Sequence, residues 1–338
     1  MNKAYSYDDV LLVPQYSVIR SRAEIDISTD LSNGVILQLP ILASPMDTIS
    51  EGAMAEALGQ AGASAIVHRY NTIEEQTAEI NRAISPCIVG AAIGVSGDYI
   101  ERASTLVDAG ASFLCVDIAH GHHIMMKEAL WELRLMFGDD YHIMAGNVAT
   151  LEGINDLADW GANSVRCNIG GGSICSTRIQ TGHGYPGLQT IIECAKTDRD
   201  IKIIADGGIK NSGDIVKALA AGADAVMVGS LLAGTTETPG EIYMNMEGTG
   251  WKTYRGMASK EAQIDWKGTY SSFEGVVSRV PHRGPVLAIL EDLERGIRSG
   301  FSYTGARDLC MLRSKAKFVS QTTSGLSESH AHITTRNW

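Results

Sequence analysis

Eight short runs of apolar and β-branched residues punctuate the chain, near positions 35–44, 63–68, 87–94, 113–119, 142–148, 164–169, 202–207 and 225–230. Between them, apolar residues recur every three or four positions, as over 51–59, 73–83, 99–108 and 214–221, which is helical spacing. Strand and helix therefore alternate. The junctions show a second regularity: Gly62-Ala63-Ser64, Gly110-Ala111-Ser112, Gly161-Ala162-Asn163 and Gly222-Ala223-Asp224 each stand between a helical stretch and an even-numbered strand. Glycine takes the left-handed backbone that closes a helix, so the placement has a physical reason. Eight βα units predict an α/β fold, a single (β/α)8 TIM barrel with its active-site loops at the C-terminal ends of the strands. A doubly wound open sheet is the alternative.

After the eighth strand the pattern breaks. Residues 241–284 carry Gly248-Thr249-Gly250-Trp251 and Tyr254-Arg255-Gly256-Met257 and read as an active-site flap. Helical spacing returns over 285–300 and 305–316, whereas the polar tail, 320–338, is expected to be disordered or ordered by a neighbour. The whole of 1–338 reads as one catalytic domain.

Composition narrows the functional classes. Of 338 residues 44% are hydrophobic and 20% charged, ample for a core. A formal charge of -11, with no Lys/Arg-rich run to offset it, repels a nucleic-acid backbone, so no nucleic-acid partner is expected. No apolar stretch has the length of a membrane span, and the N-terminal residues lack a signal-peptide core; a cytoplasmic location is expected. Cys87, Cys115, Cys167, Cys175, Cys194 and Cys310 form no C-x-x-C pair, which predicts free thiols.

The loop after the sixth strand reads Gly170-Gly171-Gly172-Ser173-Ile174-Cys175-Ser176-Thr177-Arg178. Glycines let the main chain turn amides or carbonyls toward a ligand, and barrels place chemistry at strand ends. Cys175 is the candidate nucleophile, set against a flexible connector with an inert thiol. Asp206-Gly207-Gly208 and Gly229-Ser230, after the seventh and eighth strands, stand where barrels bind phosphate with loop amides. A phosphorylated ligand is expected. Asp206 can accept hydrogen bonds from a vicinal diol or, equally, cap a helix. Asp117-Ile118-Ala119-His120-Gly121-His122-His123 matches no zinc spacing and reads as a polar rim. Asn147, in Ala145-Gly146-Asn147-Val148, either contacts a ligand or satisfies a turn.

With Tyr7-Asp8-Asp9-Val10-Leu11-Leu12, Ser44-Pro45-Met46-Asp47-Thr48 and Tyr254-Arg255-Gly256-Met257, these loops make the chain resemble the IMP dehydrogenase and GMP reductase family over nearly its whole length. The resemblance implies that Cys175 attacks C2 of a purine nucleotide, GMP or IMP. It puts Ser173, Gly208, Gly229, Ser230 and Tyr254 at the phosphate and Asp206 at the ribose hydroxyls. Ser44, Met46, Met257 and Ala258 would line the nucleotide pocket, with Gly207 and Gly256 also at the substrate. Asp117 and Asn147 would lie at the nicotinamide cofactor, NADPH or NAD. The carbonyls of Gly170, Gly172 and Cys175 would face a monovalent cation, K+, with Glu328, Ser329 and His330 of a neighbouring subunit completing the site in a homotetramer.

The family runs two reactions through a cysteine adduct: dehydrogenases oxidise IMP to XMP with NAD and water, and reductases take GMP to IMP with NADPH, releasing ammonia. Dehydrogenases usually carry CBS modules after the second βα unit; here 73–85 runs directly into Cys87-Ile88-Val89-Gly90. They also use a long flap with an Arg-Tyr pair that activates water, where this chain has Thr269-Tyr270 and then Glu274. Reductases place a Tyr four residues before a catalytic Glu. Cys175, Thr177, Glu274 and Tyr270 are therefore the expected catalytic set, Glu274 with Thr177 managing the proton on departing ammonia. The plainer reading of Glu274 is a solvated loop carboxylate. Thr181-Gly182-His183-Gly184-Tyr185-Pro186 also looks more like the reductases. Asn168 and Gly171 depart from the usual Gly and Pro, and Arg166 from the usual Lys, while 323–330 and Pro281-His282-Arg283-Gly284-Pro285 look more like dehydrogenases. The expectation is a GMP reductase. A dehydrogenase lacking CBS modules is the alternative, and a purine-nucleotide-binding regulator without turnover the second.

Overall fold

The computed structural model describes residues 3–83, 87–246, 248–271 and 274–329. Eight parallel strands form its centre: β1 Ile41–Ala43, β2 Ser64–Val67, β3 Val89–Ile93, β4 Phe113–Asp117, β5 Ile143–Val148, β6 Ser164–Cys167, β7 Lys202–Asp206 and β8 Ala225–Val228. They pair in chain order, and β8 closes the ring on β1 through Val226 opposite Ile41 and Val228 opposite Ala43. The barrel is closed, as the alternation of strand and helix predicts; the open sheet is excluded.

Helices α1 Gly52–Gln60, α2 Ile73–Arg82, α3 Tyr99–Asp108, α4 Ile124–Phe137, α5 Leu151–Asp159, a short α6 Thr177–Thr181, α7 Gly187–Cys194 and α8 Ser212–Ala220 surround it. Local chemistry starts them. The Thr72 hydroxyl accepts from Glu75 N at 3.2 Å while the Glu75 carboxylate accepts from Thr72 N at 2.9 Å, a reciprocal cap on α2. Closure after α8 needs glycine: Gly222 has φ +122°, and a Cβ there would stand 2.5 Å from that of Ala195.

Two apolar layers hold the ring. Leu42, Ile66, Phe113, Met144, Ile204 and Met227 fill the barrel, and Gly90 is bare because the Phe113 ring lies 2.4 Å from where its Cβ would be. Leu58, Ile80, Leu106, Leu133 and Leu219 pack helices on the outside. Burying such a side chain stabilises by roughly 1.5–3 kcal/mol.

The first strand is shorter than the apolar run predicts. Ile36–Leu37 pairs antiparallel with Thr29–Asp30, and Leu31, Val35 and Leu37 join the barrel's interior cluster. The chain breaks between the two because Gln38 N and Leu39 N both turn to the Gly62 carbonyl, at 2.8 and 3.0 Å, and Pro40 has no amide hydrogen to offer a ladder.

Beyond β8 the expected flap is a built antiparallel sheet, β9 Tyr243–Met244, β10 Gly250–Arg255 and β11 Val277–Pro281, with α9 Lys260–Lys267 between the last two. Buried Lys252 anchors it by donating to the carbonyls of Thr235, Thr236 and Thr238. Helices α10 Val286–Thr304 and α11 Leu309–Lys315 follow. The start of the polar tail is ordered by its own chain, a correction to the expectation: Phe318–Ser320 pairs with Val10–Leu12, and Thr323–Glu328 is a short helix capped by Thr322. The rest of the tail call, 330–338, lies outside the described residues.

Candidate active site

The strand ends open into a cavity of about 340 Å³. On one side lies the Cys175 loop. Cys175 N donates to Gly172 O at 3.1 Å, which curls the glycine run into a tight turn, and the flap locks it in place. Ser176 N donates to Glu274 O at 2.9 Å and Val276 N to Ile174 O at 3.0 Å, while Glu274 N reaches Ala258 O at 3.0 Å. The loop and the flap thus share main-chain bonds, with Cys175 bridged to Gly275. A side-chain chain results: the Cys175 thiol donates to Thr177 Oγ1 at 3.2 Å, and that hydroxyl donates to Glu274 Oε2 at 2.6 Å. A proton leaving the sulfur has a two-step path to a carboxylate.

Two motifs far apart in sequence set the flap's angle. The Arg255 guanidinium donates to Asp47 Oδ2 through Nε at 2.8 Å and through Nη2, and to Asp265 through Nη1. Arg255 N also donates to Thr48 Oγ1 at 3.2 Å. Tyr254, on the same strand, is buried with its hydroxyl 3.4 Å from Ser173 Oγ. Burial raises the phenol's pKa, so it stays a protonated donor. Gly229 keeps this corner open: a Cβ would lie 3.1 Å from the Tyr254 hydroxyl and 3.2 Å from Met46 Sδ, tighter than ordinary contact. Gly207 and Gly208 turn with φ +80° and +75°. Three loops thereby bring glycine main chain and the Ser173 and Tyr254 hydroxyls to the cavity wall.

The cavity wall also carries charge. Arg166 is buried, donating to Asp206 Oδ2 through Nε at 3.0 Å and Nη2 at 2.8 Å, and to Asp117 Oδ1 through Nη1. Burial opposes its charge, but Asp206 and Asp117 outweigh that and hold its pKa well above the ordinary value. Asn147 Nδ2 adds a further bond to Asp206 Oδ2, at 2.8 Å. All of these fall on one oxygen, which leaves Oδ1 of Asp206 as an acceptor. Asn147 stands at a break in the β5–β6 register between Gly146 and Val148, which aims its side chain across the strand ends.

The cavity brings together every candidate for the substrate and cofactor, with Cys175, Thr177 and Glu274. Tyr270 is placed differently. It is not a cavity residue; it is half-exposed on the flap, with the Lys260 ammonium 4.6 Å from its ring centre. Gly170, Gly172 and Cys175 lie on the cavity wall, whereas Glu328 and Ser329 belong to the C-terminal segment, where the Ser329 hydroxyl donates to Gly325 O at 3.2 Å. His330 lies outside the described residues. Among the described residues no group of three or more His, Cys, Asp or Glu side chains is arranged to hold a metal. Arg69 and Tyr70, which no sequence motif marks, also line the cavity after β2; Arg69 Nη2 donates to Asp117 O at 3.2 Å. Their signal was only their position at a strand end.

Comparison with known proteins agrees with this geometry. The family model described as IMP dehydrogenase / GMP reductase domain matches residues 4–332. The chain is 32% identical to inosine-5'-monophosphate dehydrogenase from Nitrosopumilus maritimus, covering 97% of this chain and 98% of the relative. It is 31% identical to GMP reductase from Leishmania major, covering 97% and 96%. Those alignments run over 466 and 474 positions against 338 residues here, so extra internal length accompanies both names and its lack does not choose between the reactions. The structure superposes on GMP reductase from Trypanosoma brucei in complex with guanosine 5'-monophosphate with a TM-score of 0.94, 29% identity and 98% of each chain covered. The chain belongs to the IMP dehydrogenase / GMP reductase family, oxidoreductases that act on purine nucleotides.

Proposed function

We propose that the protein is a GMP reductase. The observation that carries this reading is the bonded line Cys175–Thr177–Glu274; the sequence adds that Thr269-Tyr270-Ser271 has no arginine where the dehydrogenases carry the Arg-Tyr pair that activates water. The overall balance is GMP + NADPH + H+ giving IMP + NH3 + NADP+. Cys175 Sγ bonds to C2 of GMP as its proton passes through Thr177 to Glu274. Glu274 returns a proton to the 2-amino group, which leaves as ammonia. NADPH, when bound, supplies the hydride that reduces C2. The C2–S bond then breaks, IMP departs, and the released thiolate takes up the proton of the overall balance, which restores the Cys175 thiol.

Binding follows from the same walls. Ser173, Tyr254 and the glycine turns at 207–208 and 229 take the phosphate, and the open Oδ1 of Asp206 takes ribose hydroxyls. Asn147 uses its amide N–H groups on Asp206 and Asn168, which leaves its oxygen to accept from the cofactor's carboxamide, with Asp117 beside it. The Gly170, Gly172 and Cys175 carbonyls are assigned to a monovalent cation, Gly172 O keeping one lone pair beyond its bond from Cys175 N. Glu328, Ser329 and His330 of a neighbouring subunit complete that site in the proposed homotetramer.

The second reading, an IMP dehydrogenase, is favoured by the relatives that carry that name and by the dehydrogenase-like 281–285 segment. One assay separates the two. Reduced-cofactor absorbance is followed with GMP plus NADPH and with IMP plus NAD and water. Consumption of NADPH only in the first mixture is expected; NADH formation in the second alone overturns the proposal.

A further inference from the structure

Asn168 follows β6 with φ +153°, a backbone that glycine adopts freely and other residues rarely hold. It is nonetheless buried and bonded on three sides. Its Nδ2 donates to Asp206 O at 2.8 Å and more weakly to Gly207 O at 3.5 Å. Its carbonyl accepts from Asn147 Nδ2 at 3.0 Å, and its own N donates to Val148 O at 2.9 Å. Its amide oxygen has no partner among the described residues. Strain and an open buried acceptor at one residue are kept only where something else is gained.

Gly171 explains how the side chain fits. A Cβ at 171 would stand 2.2 Å from Asn168 Nδ2 and 2.7 Å from Oδ1, closer than such atoms approach. Its φ is outside the left-handed range, so backbone conformation is not what requires glycine. The Asn168 amide occupies the room of the missing side chain, between the loops that follow β6 and β7. The unusual backbone at 168 and the bare position at 171 are therefore parts of one arrangement.

We infer that Asn168 is a positioning residue for nucleotide binding, coupled to Gly171. Its amide fixes the main chain of Asp206 and Gly207 against the Gly170–Ser173 loop, and so sets the spacing between ribose acceptor, phosphate cradle and Cys175. The inference rests on the nucleotide reading above and deepens it.

A double-mutant cycle on the full chain tests it, with GMP affinity read by calorimetry and stability by thermal unfolding. Asn168→Gly, which suits the backbone, is expected to keep the unfolding midpoint while the Kd for GMP rises on the order of tenfold. Gly171→Ala alone lowers the midpoint and weakens GMP binding at least as much. In the Asn168→Gly background the added methyl meets no amide, so Gly171→Ala has little further effect on either readout. Equal effects of Gly171→Ala in both backgrounds overturn the coupling, and an unchanged Kd in Asn168→Gly overturns the positioning role. Should Gly171→Ala alone not fold, recovery of folded protein by Asn168→Gly supports the coupling, and failure to recover it counts against it. If the wild-type chain bound no purine nucleotide, the positioning role would fall with the functional reading, while the unfolding cycle would still decide the coupling.

Discussion

Strands β5 and β6 carry polar side chains at both ends, and the barrel treats the two ends oppositely. At the floor, His142 precedes β5 and Ser164 opens β6, both fully buried, with Nε2 and Oγ 2.8 Å apart. The other ring nitrogen lies 3.4 Å from Ser32 Oγ, and the imidazole stands edge-on to Phe113. Burial holds its pKa down at about 4, so the ring is neutral. At the mouth the same strands present Asn147 and Arg166, the latter charged and tied to Asp117 and Asp206. The floor pairs its polar atoms internally, whereas the mouth leaves acceptors open to the cavity. Buried polarity that closes on itself supports the fold; buried polarity left unfinished awaits a ligand.

Breaking the mouth at its reacting atom has the largest expected effect. Cys175→Ala removes the sulfur that bonds to C2, and turnover falls by about 10⁴-fold or more. GMP affinity and the unfolding midpoint stay near wild type, because Cys175 is outside the apolar core. Steady-state assay, calorimetry and thermal unfolding on the same preparation check all three. Retained turnover ends the covalent mechanism. Glu274→Gln keeps the shape and the bond from Thr177 but cannot exchange the proton, and kcat is expected to drop about 10²–10⁴-fold with KM little changed. A matched rise in KM instead assigns Glu274 to binding.

The mouth was partly legible in the sequence, for reasons these variants expose. The glycine loop with Cys175 and the turns at 207–208 announce themselves because their backbone needs are local, whereas Glu274 stands out only through the family resemblance. The eight-strand barrel follows from a period that each segment carries by itself. Legibility ends where contacts join distant residues. The shortness of β1 depends on Gly62, and the ordered tail on Val10–Leu12. The meaning of Asn168 depends on Gly171 and Asp206 together. Tyr270, four residues before Glu274, is half-exposed and is not among the residues that line the cavity.

Arg166 sharpens the comparison, because it is where the mouth also supports the fold. Arg166→Met removes the guanidinium shared by two carboxylates, which leaves Asp206 without its cationic partner and Asp117 with only Arg69, whose Nε lies 3.8 Å from Oδ2. Breaking a buried pair from one side destabilises by about 3–5 kcal/mol, read as a lower urea midpoint at unchanged slope. Asp206 would lose its fixed orientation as well, so GMP binding weakens in parallel. A variant that binds GMP normally despite the stability loss would separate the charged network from ribose recognition.

The floor gives the smallest effect and the cleanest sign. His142 has a folded pKa of about 4 against 6.5 for an unperturbed histidine. The unfolded chain therefore takes up a proton on this ring near pH 6.5 while the folded protein resists until about pH 4. Stability contributed by the neutral ring is complete above pH 6.5 and is lost as pH falls toward 4, reaching about 3 kcal/mol of difference. His142→Gln keeps a polar partner for Ser164 but does not titrate, so its unfolding free energy should fall less steeply across that window, after subtracting a pH-independent loss from poorer packing against Phe113. Urea unfolding of both proteins at pH 7.5, 5.5 and 4.5 measures the difference. Parallel curves would mean that the ring is not the acid-sensitive element. Turnover per folded molecule should be the same for both proteins at pH 7.5, because the floor is closed and the chemistry sits at the other end of the strands.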